Sequence, residues 1–344
     1  MTTRPHRPRA IVVGSTFGAV YAEALAAPES PVELVGLLST GSRQSADLAS
    51  RLAIPLYTGM NSLPRVDIAF VVVRSGVVGG EGTRVCKELL SRGVHVVQEQ
   101  PVHADEIMSL LHVAAENAVL YTVNDFYSRV APMRQFICAA KTLDSLARIR
   151  YVHARASLHV VYPLFTILAS IVGPLTPARI VMPEQTGGAF VAGRIVLADV
   201  PVDLLIQNEL CASEPDNYAR LLHTLTVGSD AGELVLDHTH GPTRWHPRPY
   251  PDSWASQSGC PISERVGIDF DPTTATVRNE LWPDPVRLAA SEFLGSIGRV
   301  RAGVTQRFVR ATRLWSEFTS AMGPAAPINP VTSARLSASE LVAL

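Results

Sequence analysis

The chain has 344 residues, with 30 Lys plus Arg against 31 Asp plus Glu and a formal net charge of -1. Hydrophobic residues make up 47% and charged residues 18%, which suits filled cores and excludes a disordered chain. The near-neutral balance excludes a generic nucleic-acid binder, and no apolar run approaches the roughly 20 residues that span a bilayer.

The basic, Pro-broken start predicts no secretory leader. From there to residue 125, strand and helix signals alternate. Strands are expected at 9–15, 32–39, 66–73, 95–98 and 118–123, and helices at 17–27, 43–52, 82–92 and 103–117. The strands are continuously apolar, as in a sheet buried on both faces. Alternation with helices predicts an α/β, doubly wound parallel (Rossmann) sheet. After a helix at 131–143 the pattern changes. Residues 148–160 alternate polar and apolar, and further strands are expected at 188–197 and 202–210. A hairpin follows: 221–227, a Gly-containing turn at 228–232, then 233–238. This predicts an α+β domain with a largely antiparallel sheet. A Pro-rich stretch at 246–261 reads as an ordered loop or lid, and helices at 286–300 and 305–322 finish the domain. The expected organisation is a nucleotide domain at 1–125, a substrate and dimerisation domain at 126–322, and a tail at 323–344. Cys86, Cys138, Cys211 and Cys260 lack CxxC spacing, which fits reduced thiols in a cytoplasm.

The first strand runs into Gly14-Ser15-Thr16-Phe17-Gly18 and a helix. Such a turn aims backbone N–H groups and a helix N-terminus at a pyrophosphate. The spacing is degraded, because Thr16 stands where a second glycine is usual. The second strand ends in Leu38-Ser39-Thr40-Gly41-Ser42-Arg43, with no acid to take a ribose 2′-hydroxyl. Hydroxyls and an Arg fork suit a 2′-phosphate, so NADPH is expected, with Ser39, Ser42 and Arg43 around that group. The alternative is that Arg43 merely opens a surface helix.

Ligands bind beyond the carboxyl ends of parallel strands. Those ends carry Arg74, Glu99-Gln100-Pro101 and Asn124-Asp125-Phe126-Tyr127. The arrangement resembles the Gfo/Idh/MocA oxidoreductases, whose sugar dehydrogenases carry Glu-Lys-Pro after the fifth strand. Here Gln100 replaces the lysine, and an amide exchanges no proton near neutrality. Only Lys87 and Lys141 are lysines in the whole chain. The glycine turn ending in Phe17-Gly18, Gln98-Glu99-x-Pro101-x-His103 and Asn124-x-Phe126-Tyr127 are similar to the thiazolinyl imine reductases of siderophore biosynthesis, of the yersiniabactin and pyochelin type. That resemblance implies NADPH reduction of a thiazoline C=N bond to a thiazolidine, on a substrate tethered to a nonribosomal peptide synthetase carrier domain. In that branch His commonly follows the Glu, so a proton-donor role for that His does not carry over to Gln100. By analogy with the superfamily, a homodimer is expected.

Hydride addition to the imine carbon needs an acid on the nitrogen side. A phenol is protonated at neutral pH, which makes Tyr127 the first candidate; it also reads as a core aromatic at a domain junction. His103 is the second candidate and also reads as a helix cap. Arg74, Glu99, Gln100 and Pro101 are expected along the cofactor. Asn124, Gln185, His240 and Trp245 are expected along the substrate. His238, His240, His246 and Cys260 look like a metal cluster but lack an acidic partner. Arginines between 299 and 313 read as a solvated helix face or as a docking surface for an acidic carrier domain. Two other readings stay open: a different reductase of a small cyclic imine or carbonyl compound, and a catalytically silent NADPH-binding sensor or scaffold.

Overall fold

Six strands build the first sheet: β1 (Arg9–Val13), β2 (Glu33–Leu38), β3 (Leu56–Tyr57), β4 (Ile68–Val71), β5 (His95–Glu99) and β6 (Tyr121–Asn124). They lie in the order β3-β2-β1-β4-β5-β6, with every pairing parallel. The order reverses between β1 and β4, which opens a crevice at their carboxyl ends. This is a computed structural model, and it describes residues 7–73, 80–185, 187–214, 217–249, 261–299, 302–330 and 336–342. All four residues of β4 are buried. Such a strand packs helices on both faces, hence its unbroken apolar run. Helices α1 (Gly18–Ala26), α2 (Arg43–Arg51), α3 (Glu81–Ser91) and α4 (Ala104–Glu116) connect the strands.

Two helices, α5 (Phe126–Arg129) and α6 (Ala131–Leu146), lead to the second sheet. Its strands are β7 (Ile149–Ser157), β8 (Ala178–Val181), β9 (Phe190–Leu197), β10 (Val200–Gln207), β12 (His223–Ser229), β13 (Gly232–Leu236), β14 (Thr243–Pro247) and β15 (Glu264–Arg265), while β11 (Glu209–Leu210) lies outside it. The order is β15-β14-β13-β12-β7-β10-β9-β8, antiparallel except between β7 and β10. The alternation in β7 turns Val152, Ala154 and Ala156 inward and leaves Arg150, His153 and Arg155 exposed. One face of the sheet is covered by Met133 and Phe136 of α6 and by Leu164, Phe165 and Leu168 of α7 (Val161–Ile171). The other face is open.

Several elements depart from the expected boundaries. Helix α7 was not anticipated, because ten of its eleven residues are buried and no polar face marks a helical period. Thr243–Pro247 forms a strand where the loop was expected to begin, and residues 250–260 of that loop lie outside the described residues. Two long helices follow, α8 (Pro283–Leu294) and α9 (Ala302–Met322), and a short one, α10 (Ala338–Val342), lies near the end. The first residues beyond 322 are tied down, since β16 (Ala326–Pro327) pairs in parallel with β11.

The cores do not follow the chain boundary near residue 125. Val286, Ala290 and Phe293 of α8 share one core with Ala10, Val12, Tyr21 and Leu25. On the opposite face of the first sheet, Phe308 and Val309 of α9 join Ile107 and Leu110. Among the described residues, no helix is long and apolar enough to cross a membrane.

Candidate active site

The turn after β1 needs its glycine. Gly14 has φ +98°, and a Cβ there would collide with the Val72 carbonyl oxygen. Its N–H donates to the Leu38 carbonyl at 2.9 Å, tying the turn to the end of β2. Ser15 is half-buried and Thr16 exposed, while Gly18 starts α1 with buried neighbours. Phe17 packs edge-on against Phe126 at 5.1 Å and Trp282 at 5.9 Å between ring centroids.

A groove of about 530 Å³ runs from Ser15 and Thr16 between α1 and α2, lined also by Arg43, Gln44, Arg51 and Arg278. At its mouth Ser42 caps α2: its Oγ accepts from the Ser45 N–H at 3.3 Å and lies 2.8 Å from the Ser45 Oγ. Ser39 Oγ accepts from the Gly41 N–H at 3.4 Å. Arg43 is nearly fully exposed, 4.0 Å from Asp47. Arg51 and Arg278 both reach Glu23, each at 2.7 Å. This groove begins at the glycine turn. The polar groups with chemistry to offer lie at the carboxyl ends of β5 and β6.

There Glu99 and Asn124 sit opposite one another in register. Tyr21 of α1 donates its phenolic O–H to Glu99 Oε2 and accepts from Asn124 Nδ2, which also donates to Glu99 Oε2 at 3.0 Å. Arg129 donates to Asn124 Oδ1 at 3.3 Å and to the Asp125 carbonyl at 2.8 Å, and pairs with Glu292 at 2.8 Å. Burial pushes the Glu99 carboxyl up to about 8, against the hydrogen bonds from Tyr21 and Asn124, which favour the charged form. Asp125 is fully buried, and neither carboxyl oxygen has a hydrogen-bond partner. Gln100 Oε1 is likewise buried and unpartnered.

Tyr127 packs on Phe126 at 5.4 Å and on His223 at 5.5 Å between centroids. Burial raises its phenol well above the usual range, and the nearby Glu99 charge adds to this. His223 carries no sequence signal, since it occupies an inward position of an alternating strand. Its Nε2–H donates to the Val160 carbonyl at 2.9 Å and its Nδ1 lies 3.1 Å from Thr239 Oγ1, which fixes the tautomer. Burial pulls His223 down to about 4. His240 is also drawn down to about 4 by burial, and its Nε2 accepts from the Trp282 indole N–H at 2.9 Å.

Other predicted residues have different surroundings. His103 is the N-cap of α4, accepting from the Asp105 N–H at 3.4 Å through Nδ1. Gln185 closes its own turn between β8 and β9, with its amide bonded to the backbone of Pro183 and of Ala192 on β9. Trp245 packs against the core of that sheet. Pro101 follows Gln100 into α4, and Arg74 lies outside the described residues. Among the described residues, no three His, Cys, Asp or Glu side chains form a metal-binding group.

Comparison with known proteins bears on this geometry. Residues 9–125 match the model of the Gfo/Idh/MocA oxidoreductase family, NAD-binding Rossmann fold. Residues 147–246 match that of the C-terminal region of Irp3-like thiazolinyl imine reductases. No curated protein sequence matches the chain. Among solved structures, KijD10, a 3-ketoreductase from Actinomadura kijaniata in complex with NADP, is 15% identical with a TM-score of 0.68, covering 94% of this chain and 100% of its own. The UDP-N-acetylglucosamine 3-dehydrogenase GnnA from Acidithiobacillus ferrooxidans is 15% identical with a TM-score of 0.65, covering 92% of this chain and 97% of its own. At such identities these structures establish the shared fold. The two family matches together span more than half of the chain, which belongs to the Gfo/Idh/MocA-like oxidoreductases, in the branch of the Irp3-like thiazolinyl imine reductases.

Proposed function

We propose that the protein is an NADPH-dependent thiazolinyl imine reductase, converting a thiazoline C=N to a thiazolidine on a substrate tethered to a nonribosomal peptide synthetase carrier domain. The observation that carries this reading is the presence of Gln100 after β5 together with Tyr127 after the neighbouring β6. Where an alcohol-oxidising relative keeps a lysine base, this chain has an amide, and at the end of the next strand it has a phenol raised by burial. Such a cleft suits delivery of a proton rather than its removal. The Irp3-like match of residues 147–246 supports the same substrate class.

The residues fit a nicotinamide dinucleotide. Gly14 leaves the backbone room that a Cβ would fill, and Gln100 Oε1 is a buried acceptor in want of a donor. Gly14, Ser15 and Thr16 would hold the diphosphate, with Phe17 and Gly18 shaping the turn, and Gln100 would take the carboxamide. When bound, the cofactor supplies the hydride. Tyr127 supplies the proton to the ring nitrogen, and His223 and Phe126 hold its ring in place. His240 and Trp282 close the cleft from the second domain.

The preference for NADPH rests on Arg43, whose guanidinium stands exposed at the mouth of the groove, and on the absence of an acid at the end of β2. Arg43→Ala is expected to weaken NADPH binding about 10-fold, the scale of one charged hydrogen bond, and to leave NADH unchanged. The exposed arginines of α9, Arg307, Arg310 and Arg313, offer a docking face for an acidic carrier domain. The open face of the second sheet, with Leu205 exposed at its centre, suits a second copy of the chain.

The deciding experiment follows NADPH oxidation with an aryl-thiazoline thioester mimic and with keto-sugar nucleotides. Turnover of the thiazoline alone is expected. Turnover of the keto sugar alone would replace imine reduction with carbonyl reduction, and tight NADPH binding with no turnover of either would favour a sensor.

A further inference from the structure

The cleft holds a second acid behind Tyr127. Glu99 is 8% exposed, and both of its hydrogen bonds, from Tyr21 and Asn124, fall on Oε2. The titratable and charged groups around it are Tyr21 on α1, Asp125 and Tyr127 after β6, Arg129 on α5 and Tyr162 on α7. Arg129 is the one cation in that set. It is already divided between Asn124, the Asp125 carbonyl and the outer carboxylate of Glu292. Asp125 brings a second carboxyl into the same dry region with no hydrogen bond to either oxygen. Burial of Glu99, with its nearest cation engaged elsewhere and the Asp125 carboxyl close by, favours the protonated form of Glu99. Tyr21 and Tyr127 both pack on Phe126, at 6.4 and 5.4 Å between centroids, so the Glu99 cluster and the Tyr127 phenol share one wall.

We propose that Glu99 is the proton store of the reaction, returning a proton to Tyr127 each time the phenol has protonated the substrate. The assignment deepens the imine-reductase reading and rests on it for the identity of the acceptor. The proton balance closes. The phenolic O–H breaks as the ring N–H forms, and a bound nicotinamide would supply the hydride to carbon and be oxidised in doing so. The Glu99 O–H then breaks as the phenol re-forms. The Glu99 carboxylate takes one proton from solvent before the next turnover. Glu99 acts through Tyr127, and Tyr21 and Asn124 position it. Burial holds the carboxyl at about 8, so the store is full at neutral pH and empties on the alkaline side.

Glu99→Gln and Tyr21→Phe test this. In the wild type kcat should fall through an alkaline limb centred near 8. Glu99→Gln should lower kcat about 10- to 100-fold and abolish that limb, with NADPH affinity by fluorescence titration unchanged. Tyr21→Phe should move the limb to higher pH, because the lost O–H had favoured the carboxylate. Infrared difference spectra of wild type against Glu99→Gln, without substrate, should show a carboxylic-acid carbonyl band at neutral pH that disappears across the same limb. Glu99→Gln that keeps the limb, or loses activity only in proportion to NADPH affinity, overturns the proposal, as does absence of the band. A wild type that reduces carbonyls but not thiazolines, with the limb still lost in Glu99→Gln, overturns the substrate reading and leaves the proton store standing.

Discussion

Polar side chains gather in two places, and they are treated in opposite ways. At the carboxyl ends of β5 and β6, Glu99, Gln100, Asn124 and Asp125 are buried or nearly so, and several of their atoms lack partners. On the open face of the second sheet, polar groups are exposed and paired with one another. Arg194 meets Asp203 through two bonds of 2.6 and 3.0 Å directly across β9 and β10, and His153 lies 3.7 Å from the same carboxylate. Buried polar atoms without partners cost free energy that a surface pair never incurs. A fold keeps them where a ligand or a proton completes them. The first region is therefore expected to govern rate and the second assembly.

Four substitutions break or sharpen that division. Tyr127→Phe removes the proposed proton donor while keeping the ring against His223, and should lower kcat about 10²- to 10⁴-fold with NADPH binding intact. A loss below tenfold in steady-state rate would move the acid elsewhere. Gly14→Ala forces a side chain into a left-handed backbone against the Val72 carbonyl. The cost should be about 1–3 kcal/mol, read as a lower Tm and weaker NADPH binding in calorimetry; unchanged binding would place the cofactor away from this turn. Leu205→Glu sets a charge on the open face proposed for a second copy, and sedimentation should find the wild type dimeric and the variant monomeric at the same concentration, with initial rates preserved. A rate loss without a change in mass would erase the contrast between the two regions. Arg194→Ala, which breaks an exposed pair, should cost at most about 1 kcal/mol in denaturant titration.

The parallel half was readable because its strands are short apolar runs alternating with helices, two of which open on a side-chain cap, Ser42 and His103. The second half hid more. Val161–Ile171 has no polar side and so no period. His223 sits inward on β12 at a position that apolar residues otherwise fill, and nothing local separates it from a surface histidine. Glu99, Asn124 and Tyr127 were singled out by the strand-end rule, and the structure places them at the ends of β5 and β6, since those positions follow from topology. The partners that set their chemistry were not singled out. Tyr21 lies 78 residues from Glu99 in the chain and reads as an ordinary helix residue. Asp125, in a connection that should face water, is sealed completely. Gln185 shows the converse: a Gln-Gly-rich turn reads alike whether it faces a cleft or bonds its own backbone, and here its amide bonds the backbone.

Trp282 has a mechanical consequence. It touches Phe17 in the nucleotide turn and donates to His240 in the second domain, immediately before α8 settles against α1. A crevice stitched at its chemical end opens only by parting aromatic contacts, so its gauge is set by side chains rather than by a hinge. Such a vessel would suit the tethered substrate proposed above: the arm would do the travelling, and the walls need not.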